Sequence, residues 1–450
     1  MLDVKPAAER PRARLVQRDP HLMHKTRPDP IRDIVIIGNG IAGVTAARFI
    51  RKLSDDRITI VSDESDFFFS RTALMYVYMG HMTLSDIKPY EDWFWEKNRI
   101  DRVRGYVRHV DCTRQRLELD GAEPIDYDVL IIASGSKSNR FNWPGDDLSG
   151  VHGLYFLQDL ERLDRESAGV RKAVVVGGGL TGVELVEMLH SRGIHATFLA
   201  REMAYMDYAL PTEEAELIER AIRRHGIDLR FNTEVREIRA GADGRVASVL
   251  TSRDEELSAQ LVGITCGVHP NVAFLRESDV ETNSGVLVNE HFETSVPNVY
   301  AVGDCAEFRD DGIGHKRIEQ LWYTGRTHGK FVGRIVCGQR KPYDRGIFYN
   351  SAKFFDLEYQ TYGEVDATLQ QGMEDCVLRD QRSERMVRIR FRSDTHAVTG
   401  FNALGFRLRH EDCERCIRHG TTVDDVLAGF EALRFDPEFN TRRPELREAV

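Results

Sequence analysis

Short apolar runs recur along the chain, and two of them are followed by closely similar glycine-rich turns. The first run, Asp33–Ile37, leads into GNGIAG at 38–43, and the second, Lys172–Val176, leads into GGGLTG at 177–182. Apolar residues at helical spacing follow each turn. Both places therefore predict a strand, a tight turn and the N-terminus of a helix.

Each predicted unit continues in the same way. Helices are expected near 41–53 and 183–190, and apolar runs at 57–61 and 196–199 predict a second strand in each unit. A strand, a helix and a parallel strand in this order form a right-handed crossover. The internal repeat of this plan predicts two similar β-α-β units.

Both glycine-rich turns have the chemistry of a dinucleotide-binding site. Amides at the positive end of a helix hold a pyrophosphate, and glycine lets the backbone approach the phosphates. One such turn is weak evidence, whereas two predict two dinucleotides, explained most simply by a flavin and a nicotinamide that exchange a hydride. The residues predicted to bind them are Gly38, Gly40, Ile41, Ala42 and Gly43 in the first unit, and Gly177, Gly179, Leu180, Thr181 and Gly182 in the second.

Three further stretches, at 127–136, 264–271 and 294–304, end in or contain small residues. A larger side chain there would crowd a backbone that passes near a nucleotide. Asp304, at the end of the third stretch, can accept hydrogen bonds from a sugar-alcohol chain. It is also a favoured residue for a helix N-cap, and both roles can hold together. The small residues expected beside the nucleotides are Ala133, Ser134, Gly135, Gly267 and Gly303.

Length and composition predict a soluble protein of several domains. A chain of 450 residues exceeds one ordinary core, which predicts two to three domains. Its net charge of −10 argues against nucleic-acid binding as the main role. No apolar run reaches the ~18 residues of a membrane helix. Residues 1–30, with several Arg and Pro, predict a flexible leader rather than a secretory signal.

The 7 cysteines are odd in number and scattered, which predicts free thiols in a reducing compartment and a cytoplasmic protein. Cys413 and Cys416 form the one close pair. A lone CxxC suits a redox pair or half of a zinc site. The alternative is two thiols on a C-terminal helix.

After residue 340 the pattern changes to alternating strands, as at 386–391. This change predicts a separate α+β domain at 341–450, closed by a charged C-terminal helix. The predicted fold class is therefore α/β, with two Rossmann-like dinucleotide-binding domains followed by a C-terminal α+β domain. A homodimer formed through that last domain is a further expectation.

In their order along 31–340, these motifs resemble the two-dinucleotide flavoprotein oxidoreductases of the pyridine nucleotide-disulfide reductase superfamily. Within it, the segments 317–322 and 348–363 are similar to the oxygenase-coupled ferredoxin reductases and their apoptosis-inducing-factor relatives. The resemblance implies a discontinuous FAD-binding domain with an NAD(P)-binding domain inserted into it. Their implied bounds are 31–150 and 283–340 for the first, and 151–282 for the second.

The resemblance also assigns roles. The first unit would hold the FAD pyrophosphate, Asp304 the flavin's ribityl chain, and the second unit NADH or NADPH. Disulfide reductases carry a CxxxxC pair just beyond the first unit, but this chain has no cysteine between Met1 and Val110. Without a thiolate to receive electrons, the reduced flavin is expected to pass them outward, to a metal centre, a quinone or oxygen.

An acid ~20 residues beyond each glycine-rich turn is expected to bind ribose. In the first unit, Asp63 and Glu64 either reach the adenosine ribose of FAD or belong to a solvated turn. In the second, Ala200 stands where an acid would favour NADH, and Arg201 follows it. This pair favours NADPH over NADH, although Glu202 lies close by.

The resemblance supports three further candidate site residues. Arg71 either contacts an FAD phosphate as a bidentate donor or forms a surface salt bridge. Glu184 either lies near the nicotinamide, as in the family, or is an acid favoured by the helix dipole. Trp322 is expected to lie over the isoalloxazine and to gate the nicotinamide.

Two sets of residues have a functional and a plain structural interpretation. Phe354, Phe355 and Tyr359 either line the same flavin face as Trp322 or belong to the core. The six arginines of 99–116 either dock an acidic electron carrier or are simply solvated.

These features predict an FAD-dependent NAD(P)H oxidoreductase that passes electrons to a ferredoxin- or rubredoxin-type iron–sulfur protein. Hydride transfer strictly needs no general acid or base, so no residue is assigned as catalytic with certainty, and Trp322 and Glu184 are the nearest candidates. One alternative is a type II NAD(P)H:quinone reductase, although the prolines and mixed charge of 430–444 make a poor membrane-docking helix. Another is a redox-sensing flavoprotein like apoptosis-inducing factor.

Overall fold

The computed structural model describes residues 30–309, 317–380 and 384–435, and the backbone of 446–448. Of the leader expected at 1–30, only Pro30 belongs to the described residues.

The secondary structure falls into three successive parts. The first part contains β1 (Asp33–Ile37), α1 (Ile41–Leu53), β2 (Arg57–Ser62), α2 (Leu74–Tyr78), α3 (Trp93–Lys97), β3 (Ile100–Arg104), β4 (Tyr106–Asp111), β5 (Arg116–Asp120), β6 (Ile125–Asp126), β7 (Val129–Ile132) and β8 (Ser136–Ser138). The second contains β9 (Val151–His152), α4 (Leu157–Glu166), β10 (Lys172–Val176), α5 (Leu180–Ser191), β11 (His195–Leu199), α6 (Thr212–Arg224), β12 (Asp228–Arg230), β13 (Val235–Ala240), β14 (Val246–Thr251), β15 (Glu256–Ser258), β16 (Leu261–Ile264) and β17 (Val268–Pro270). The third contains β18 (Val286–Val288), β19 (Val299–Ala301), β20 (Ala306–Phe308), α7 (Trp322–Val336), β21 (Tyr349–Phe354), β22 (Leu357–Gly363), β23 (Met373–Asp380), β24 (Arg385–Arg392), β25 (Val398–Leu404), α8 (His410–His419), α9 (Val423–Ala428), α10 (Phe430–Leu433) and β26 (Leu446–Glu448).

Two parallel sheets of the same design confirm the predicted repeat. Five strands in the order β19-β7-β1-β2-β3 form the first sheet, and five in the order β12-β11-β10-β16-β9 form the second. The first strand of each unit is flanked by its second strand and by a strand from much later in the sequence. Each glycine-rich turn therefore lies at the point where strand order reverses, which is where such sheets bind ligands.

The chain leaves the first sheet and later returns to it. Strand β19 follows the second unit in sequence, yet it pairs with β7 of the first sheet, with Tyr300 opposite Ile131. The return brings Gly303 and Asp304 beside the first glycine-rich turn. Helix α7 then packs on α1 through glycines, since a Cβ on Gly329 would lie 2.3 Å from the Ala42 carbonyl oxygen.

The last part is an antiparallel sheet of six strands in the order β21-β22-β25-β24-β23-β26. The charged helix expected to close this domain is α8, but further described elements follow it. Helix α8 is charged but ends at Gly420, which adopts a left-handed φ of 61°. Thr422 then caps α9, and the last described element, β26, pairs with the edge of β23.

The C-terminal sheet is joined to the second unit by apolar packing and by ion pairs. Phe354 and Leu404 share one core with residues of α5 and α6. Lys353 of β21 lies 2.6 Å from Glu187 of α5. Arg388 of β24, which is 4% exposed, lies 2.6 Å from Glu214 of α6, which is 0% exposed. Edge strand β21 is thus held firmly against the second unit.

Candidate functional site

A cavity of about 620 Å³ opens where the two units, α7 and strand β21 meet. Most of the residues predicted to bind cofactors line it: Gly38, Gly40, Ile41, Ala42, Asp63, Glu64, Arg71, Ala133, Ser134, Gly135, Leu180, Thr181, Glu184, Gly303, Asp304 and Trp322. Gly43, Gly177, Gly179, Gly182, Arg201 and Gly267 lie outside its lining. The cavity therefore brings the first glycine-rich turn together with the start of the second unit's helix.

The first glycine-rich turn has two glycines that the fold needs and one that it does not. A Cβ on Gly38 would lie 2.2 Å from the Ala133 carbonyl oxygen, and one on Gly43 would lie 2.1 Å from the Gly38 carbonyl oxygen. A Cβ on Gly40 would meet no atom within 4 Å. Gly40 is also the N-cap of α1, and no side chain caps that helix. The open space and the uncapped amides fit a pyrophosphate.

The second turn repeats this arrangement. A Cβ on Gly177 would lie 2.6 Å from the Thr265 carbonyl oxygen, and one on Gly182 would lie 2.0 Å from the Gly177 carbonyl oxygen. At Gly179 the nearest atom would be the Tyr208 hydroxyl oxygen at 3.9 Å. Gly179 also precedes α5 as its N-cap, without a capping side chain. The second turn is thus built like the first to admit a phosphate-bearing ligand.

Asp304 presents one carboxylate oxygen to the protein. Its Oδ2 accepts hydrogen bonds from Ser136 Oγ at 3.2 Å and from the Tyr155 hydroxyl at 3.3 Å. Gln320 donates to Ser136 Oγ at 3.0 Å, which extends the network. Burial raises the pKa of Asp304, against the lowering effect of its two hydrogen bonds. Among the described residues Oδ1 has no hydrogen-bond partner, so it can accept from a ligand hydroxyl.

Asp304 does not act as a helix cap. It lies inside the short 3-10 turn Gly303–Cys305, for which Val302 is the N-cap position and no side chain supplies a capping bond. The N-cap role expected for Asp304 is therefore not found in the structure, and its role in binding a sugar-alcohol chain stays a prediction.

Glu64 and Arg71 bind each other. Arg71 donates to the two carboxylate oxygens of Glu64 at 2.8 and 2.6 Å, and the Leu157 N–H donates to Oε1 at 2.8 Å. The pair is largely buried, with 7% of the Glu64 side chain and 27% of the Arg71 side chain exposed. It is therefore not the surface salt bridge weighed as one alternative. Asp63 is exposed on the same rim and is the acid left free for a ribose.

Glu184 lies on α5, at the opposite wall of the cavity. It has no hydrogen bond or ion pair to any residue that the structure describes. Burial and the nearby Glu187 carboxylate raise the pKa of Glu184 to about 7. A carboxyl group with this pKa can hold or release a proton near neutrality.

Trp322 begins α7 and lines the cavity, with its ring edge-on to Tyr323 at 5.3 Å. Of the two interpretations of Phe354, Phe355 and Tyr359, the structure shows the core one, and none of the three is among the described residues that line the cavity. Phe354 and Phe355 are 0% and 4% exposed and lie in the core. Tyr359 donates a hydrogen bond to Asn402. Strand β21 contributes its small polar residues to the cavity instead: Asn350, Ser351 and Ala352.

The rim of the second unit carries no acid at the end of β11. Arg201 is 77% exposed, and its Nε lies 3.1 Å from Glu202 Oε1. Glu202 turns toward the glycine-rich turn, since a Cβ on Gly178 would lie 3.4 Å from Glu202 Oε2. Gly267 has a φ of 83° and faces the Asn139 amide. Among the described residues, Arg201 pairs with Glu202 alone, whose side chain is 19% exposed.

The arginines of 99–116 form exposed ion pairs, and their docking of an acidic carrier stays a prediction, as does a redox or zinc role for Cys413 and Cys416. Five of the arginines in 99–116 lie within 4 Å of a carboxylate, as with Arg99 and Asp55 or Arg116 and Asp126, and Arg102 donates to the Asp66 carbonyl oxygen. Cys413 and Cys416 lie on α8 with free thiols, and burial raises the pKa of both.

In the part of the chain that is described, no three His, Cys, Asp or Glu residues are placed to hold a metal ion. Nor is any described helix long and apolar enough to cross a membrane.

Three residues of the site carry no sequence signal that marks their role. Tyr155 lies between the units, and no motif marks it. Gln320 belongs to a segment noted only for its resemblance. Ser136 ends a stretch noted only for its small residues. Their shared role, to hold Asp304, depends on contacts between parts of the chain that are far apart in sequence.

The chain is similar to known oxidoreductases over most of its length. The family model described as pyridine nucleotide-disulphide oxidoreductase matches residues 32–329. Nitrite reductase [NAD(P)H] of Bacillus subtilis (strain 168) is 29% identical over 340 residues, which are 74% of this chain and 41% of that protein. Rhodocoxin reductase of Rhodococcus erythropolis is 32% identical over 64% of this chain and 68% of its own length. NADH-rubredoxin oxidoreductase of Clostridium acetobutylicum is 26% identical over 88% and 98%.

The chain thus spans about two fifths of the nitrite reductase, whereas it spans almost all of the rubredoxin oxidoreductase. Two solved structures have the same fold. The covalent putidaredoxin reductase–putidaredoxin complex superposes with a TM-score of 0.75 at 22% identity, covering 87% of this chain and 93% of that one. An engineered water-forming NADPH oxidase bound to NADPH gives 0.74 at 20% identity, covering 87% and 92%.

Proposed function

We propose that this chain, which belongs to the pyridine nucleotide-disulphide oxidoreductase family, transfers hydride from NADPH to a bound FAD and passes electrons to a small iron–sulfur protein. The observation that carries the proposal is the pair of glycine-rich turns whose middle glycines, Gly40 and Gly179, face open space. Two such turns beside one cavity suit two dinucleotides whose reactive rings meet in it.

The residues present fit FAD in the first unit. Gly40 and the start of α1 would hold the pyrophosphate, Asp63 the adenosine ribose, and Asp304 Oδ1 a ribityl hydroxyl. When bound, the flavin would accept a hydride and release electrons one at a time. The chain orients both nucleotides, keeps water from the cavity, and holds a proton on Glu184 near neutrality.

NADPH is favoured by the residues that follow β11. Ala200 places no carboxylate where a 2′-phosphate would stand, and Arg201 can donate a charge-assisted hydrogen bond to it. The engineered NADPH oxidase carries five substitutions, and they include aspartate to alanine followed at once by alanine to arginine. This chain has the same two residue types in succession. Glu202 opposes this preference, because its carboxylate lies beside the glycine-rich turn and already pairs with Arg201.

The acceptor is inferred from what the cavity lacks and from the names of relatives. No cysteine is among the cavity-lining residues that the structure describes, so no thiol relay receives electrons there. Relatives are named for rhodocoxin, rubredoxin and putidaredoxin as partners. All 7 cysteines are free, which suits a reducing compartment such as the cytoplasm.

A matched pair of glycine variants tests the proposal. In Gly40→Ala the added methyl clashes with nothing in the protein, so we expect a folded chain that no longer retains FAD. In Gly179→Ala we expect a yellow protein that NADPH reduces at least ~10-fold more weakly, because the methyl occupies only the nicotinamide cofactor's phosphate site.

The measurement is an anaerobic titration of the wild-type visible spectrum with NADPH or NADH, followed by ferredoxin, rubredoxin or a quinone. Wild-type protein that binds no FAD contradicts the proposal. If NADPH reduces the protein and only a quinone then supports turnover, the acceptor is a quinone and not an iron–sulfur protein. Slow turnover with every acceptor, together with a change of oligomeric state on reduction, indicates a redox sensor instead.

A further inference from the structure

A buried polar cluster lies directly behind the turn that holds Asp304. Glu319, 6% exposed, lies two residues before Leu321, the N-cap of α7, and His328, 0% exposed, lies within that helix. Tyr343 and Arg345 reach the same carboxylate from the segment that leads to the C-terminal domain, at 2.8 and 3.4 Å. None of these four residues lines the cavity. Burial of so many polar groups is costly unless each is well bonded.

Hydrogen bonds fix the protonation state of His328. The Gly303 amide donates to Nδ1 at 3.1 Å, and an amide can only donate, so Nδ1 carries no proton. Nε2 lies 3.2 Å from Glu319 Oε2 and donates to it. The imidazole is therefore neutral and in one tautomer, bonded to a backbone amide on one side and to a carboxylate on the other.

The surroundings also fix the orientation of the ring. Phe292, Phe308 and Tyr343 surround the imidazole, with ring centroids 4.8, 5.8 and 4.8 Å away. This aromatic packing leaves the ring one orientation. The Gly303 amide thus has a rigid acceptor.

Gly303 is the residue whose position matters for the cofactor. Its φ of 74° is left-handed, and a Cβ there would lie 2.9 Å from the Ala42 side chain. It immediately precedes Asp304, so any shift of the Gly303 amide moves the carboxylate that faces the cavity. Without the His328 imidazole, the Gly303 amide would be a buried donor with no acceptor. Because an unpaired buried donor is costly, the turn Gly303–Cys305 would shift to find another acceptor.

We propose that His328 is a positioning residue for the flavin: it links the buried Glu319 carboxylate to the Gly303 amide and so holds Asp304 in its binding position. This inference rests on the proposed function, because the ligand it positions is the FAD of that proposal. His328 itself does not touch the cavity.

Three variants of the full-length protein test it. His328→Phe keeps the volume but removes the acceptor, and we expect the dissociation constant for FAD to rise at least ~10-fold. His328→Asn keeps an acceptor near the position of Nδ1, and we expect it to bind FAD within ~3-fold of wild type. The control is Val332→Ala, also 0% exposed and one helical turn further along α7. It is expected to lose stability but to keep the wild-type dissociation constant within ~2-fold.

A second readout does not depend on FAD binding. Nitrogen-15 NMR of the imidazoles, assigned by the signal missing from His328→Asn among the 15 histidines, should show His328 protonated at Nε2 alone. This measurement, with His328→Asn, decides the case if His328→Phe does not fold.

Three outcomes would overturn the inference. They are a His328→Phe protein that binds FAD like wild type, a His328→Asn protein as weak as His328→Phe, and an imidazole protonated at Nδ1. A wild-type protein without FAD affinity would instead refute the proposed function. The two failures are therefore distinguishable.

Discussion

Arg71 and Glu64 form a bidentate ion pair within the cavity wall, and it joins two parts of the chain. The two hydrogen bonds measure 2.8 and 2.6 Å, and the Leu157 N–H donates to the same carboxylate from the start of α4. Arg71 also donates to the Tyr155 carbonyl oxygen. Because both charged groups are already paired, the arginine shapes the wall of the site and braces the crossing between the two units.

Removing one partner of this pair should be costly. Arg71→Ala leaves the Glu64 carboxylate buried without its cation, and we expect the free energy of unfolding to fall by about 3 kcal/mol. Arg57→Ala is the control, since the Arg57–Asp33 pair is 66% and 41% exposed and its loss should lower stability far less. Urea unfolding of both variants measures the difference, and equal losses would show that the Arg71 pair is not effectively buried.

Tyr155 is expected to support FAD binding through Asp304. Tyr155→Phe removes one of the two hydrogen bonds to Asp304 Oδ2, so we expect FAD to bind about 5-fold more weakly, with the fold unchanged. Tyr359→Phe is the matched control, because that hydroxyl bonds to Asn402 in the C-terminal domain. Fluorescence titration with FAD would give the dissociation constants of both variants. Equal constants would show that Tyr155 does not contribute to FAD binding.

Glu184 should make stability depend on pH. Burial and the Glu187 carboxylate raise the pKa of Glu184 from 4.5 to about 7, so folding favours the protonated form. Its contribution to stability is then full at pH values below the unfolded pKa, and it is lost as the pH rises through about 7. Glu184→Gln should therefore gain stability relative to wild type as the pH is raised from about 5 to about 8.

Chemical unfolding across that pH range measures the Glu184 effect. The exposed Glu161→Gln on α4 is the control, and its difference from wild type should stay constant. A Glu184→Gln curve parallel to wild type would mean that this carboxyl group is ionised throughout the range.

Arg201 should decide the choice of coenzyme. Arg201→Ala is expected to lower kcat/KM for NADPH by about 10-fold while leaving that for NADH nearly unchanged, because only the 2′-phosphate loses a partner. Ala200→Asp should act in the same direction by repelling that phosphate. Arg236→Ala, an exposed arginine elsewhere in the second unit, controls for net charge. Steady-state rates with both coenzymes test this, and equal losses for NADH and NADPH would contradict it.

The sequence pattern predicted the nucleotide-binding units well, because their signals are local. A strand, a glycine-rich turn and a helix are encoded within about 25 residues, and β1, α1 and β10 have the predicted bounds. The same turns identified Gly40 and Gly179, since backbone geometry at a helix N-terminus depends little on the rest of the chain.

What the sequence could not show is which side chains meet across the fold. Arg71 follows an aromatic run and was predicted as a hydrogen-bond donor to a phosphate. The turn between the two residues instead brings Glu64 to it, and they form an ion pair. Phe354 and Phe355 could have lined a flavin face, but Phe354 at the end of β21 and Phe355 just after it lie in the core shared with α5 and α6. The link from Glu319 through His328 to Gly303 depends on the return of the chain through β19, which no local pattern encodes.

The placement of β21 affects how this protein can diversify. The strand supplies Asn350, Ser351 and Ala352 to the cavity, while Lys353 anchors it to α5. The side of the cavity formed by β21 therefore belongs to a part of the chain that lies after both β-α-β units in the sequence. A recombination event that exchanged everything after α7 would keep both glycine-rich turns and change the β21 side of the cavity, provided that a cation still paired with Glu187.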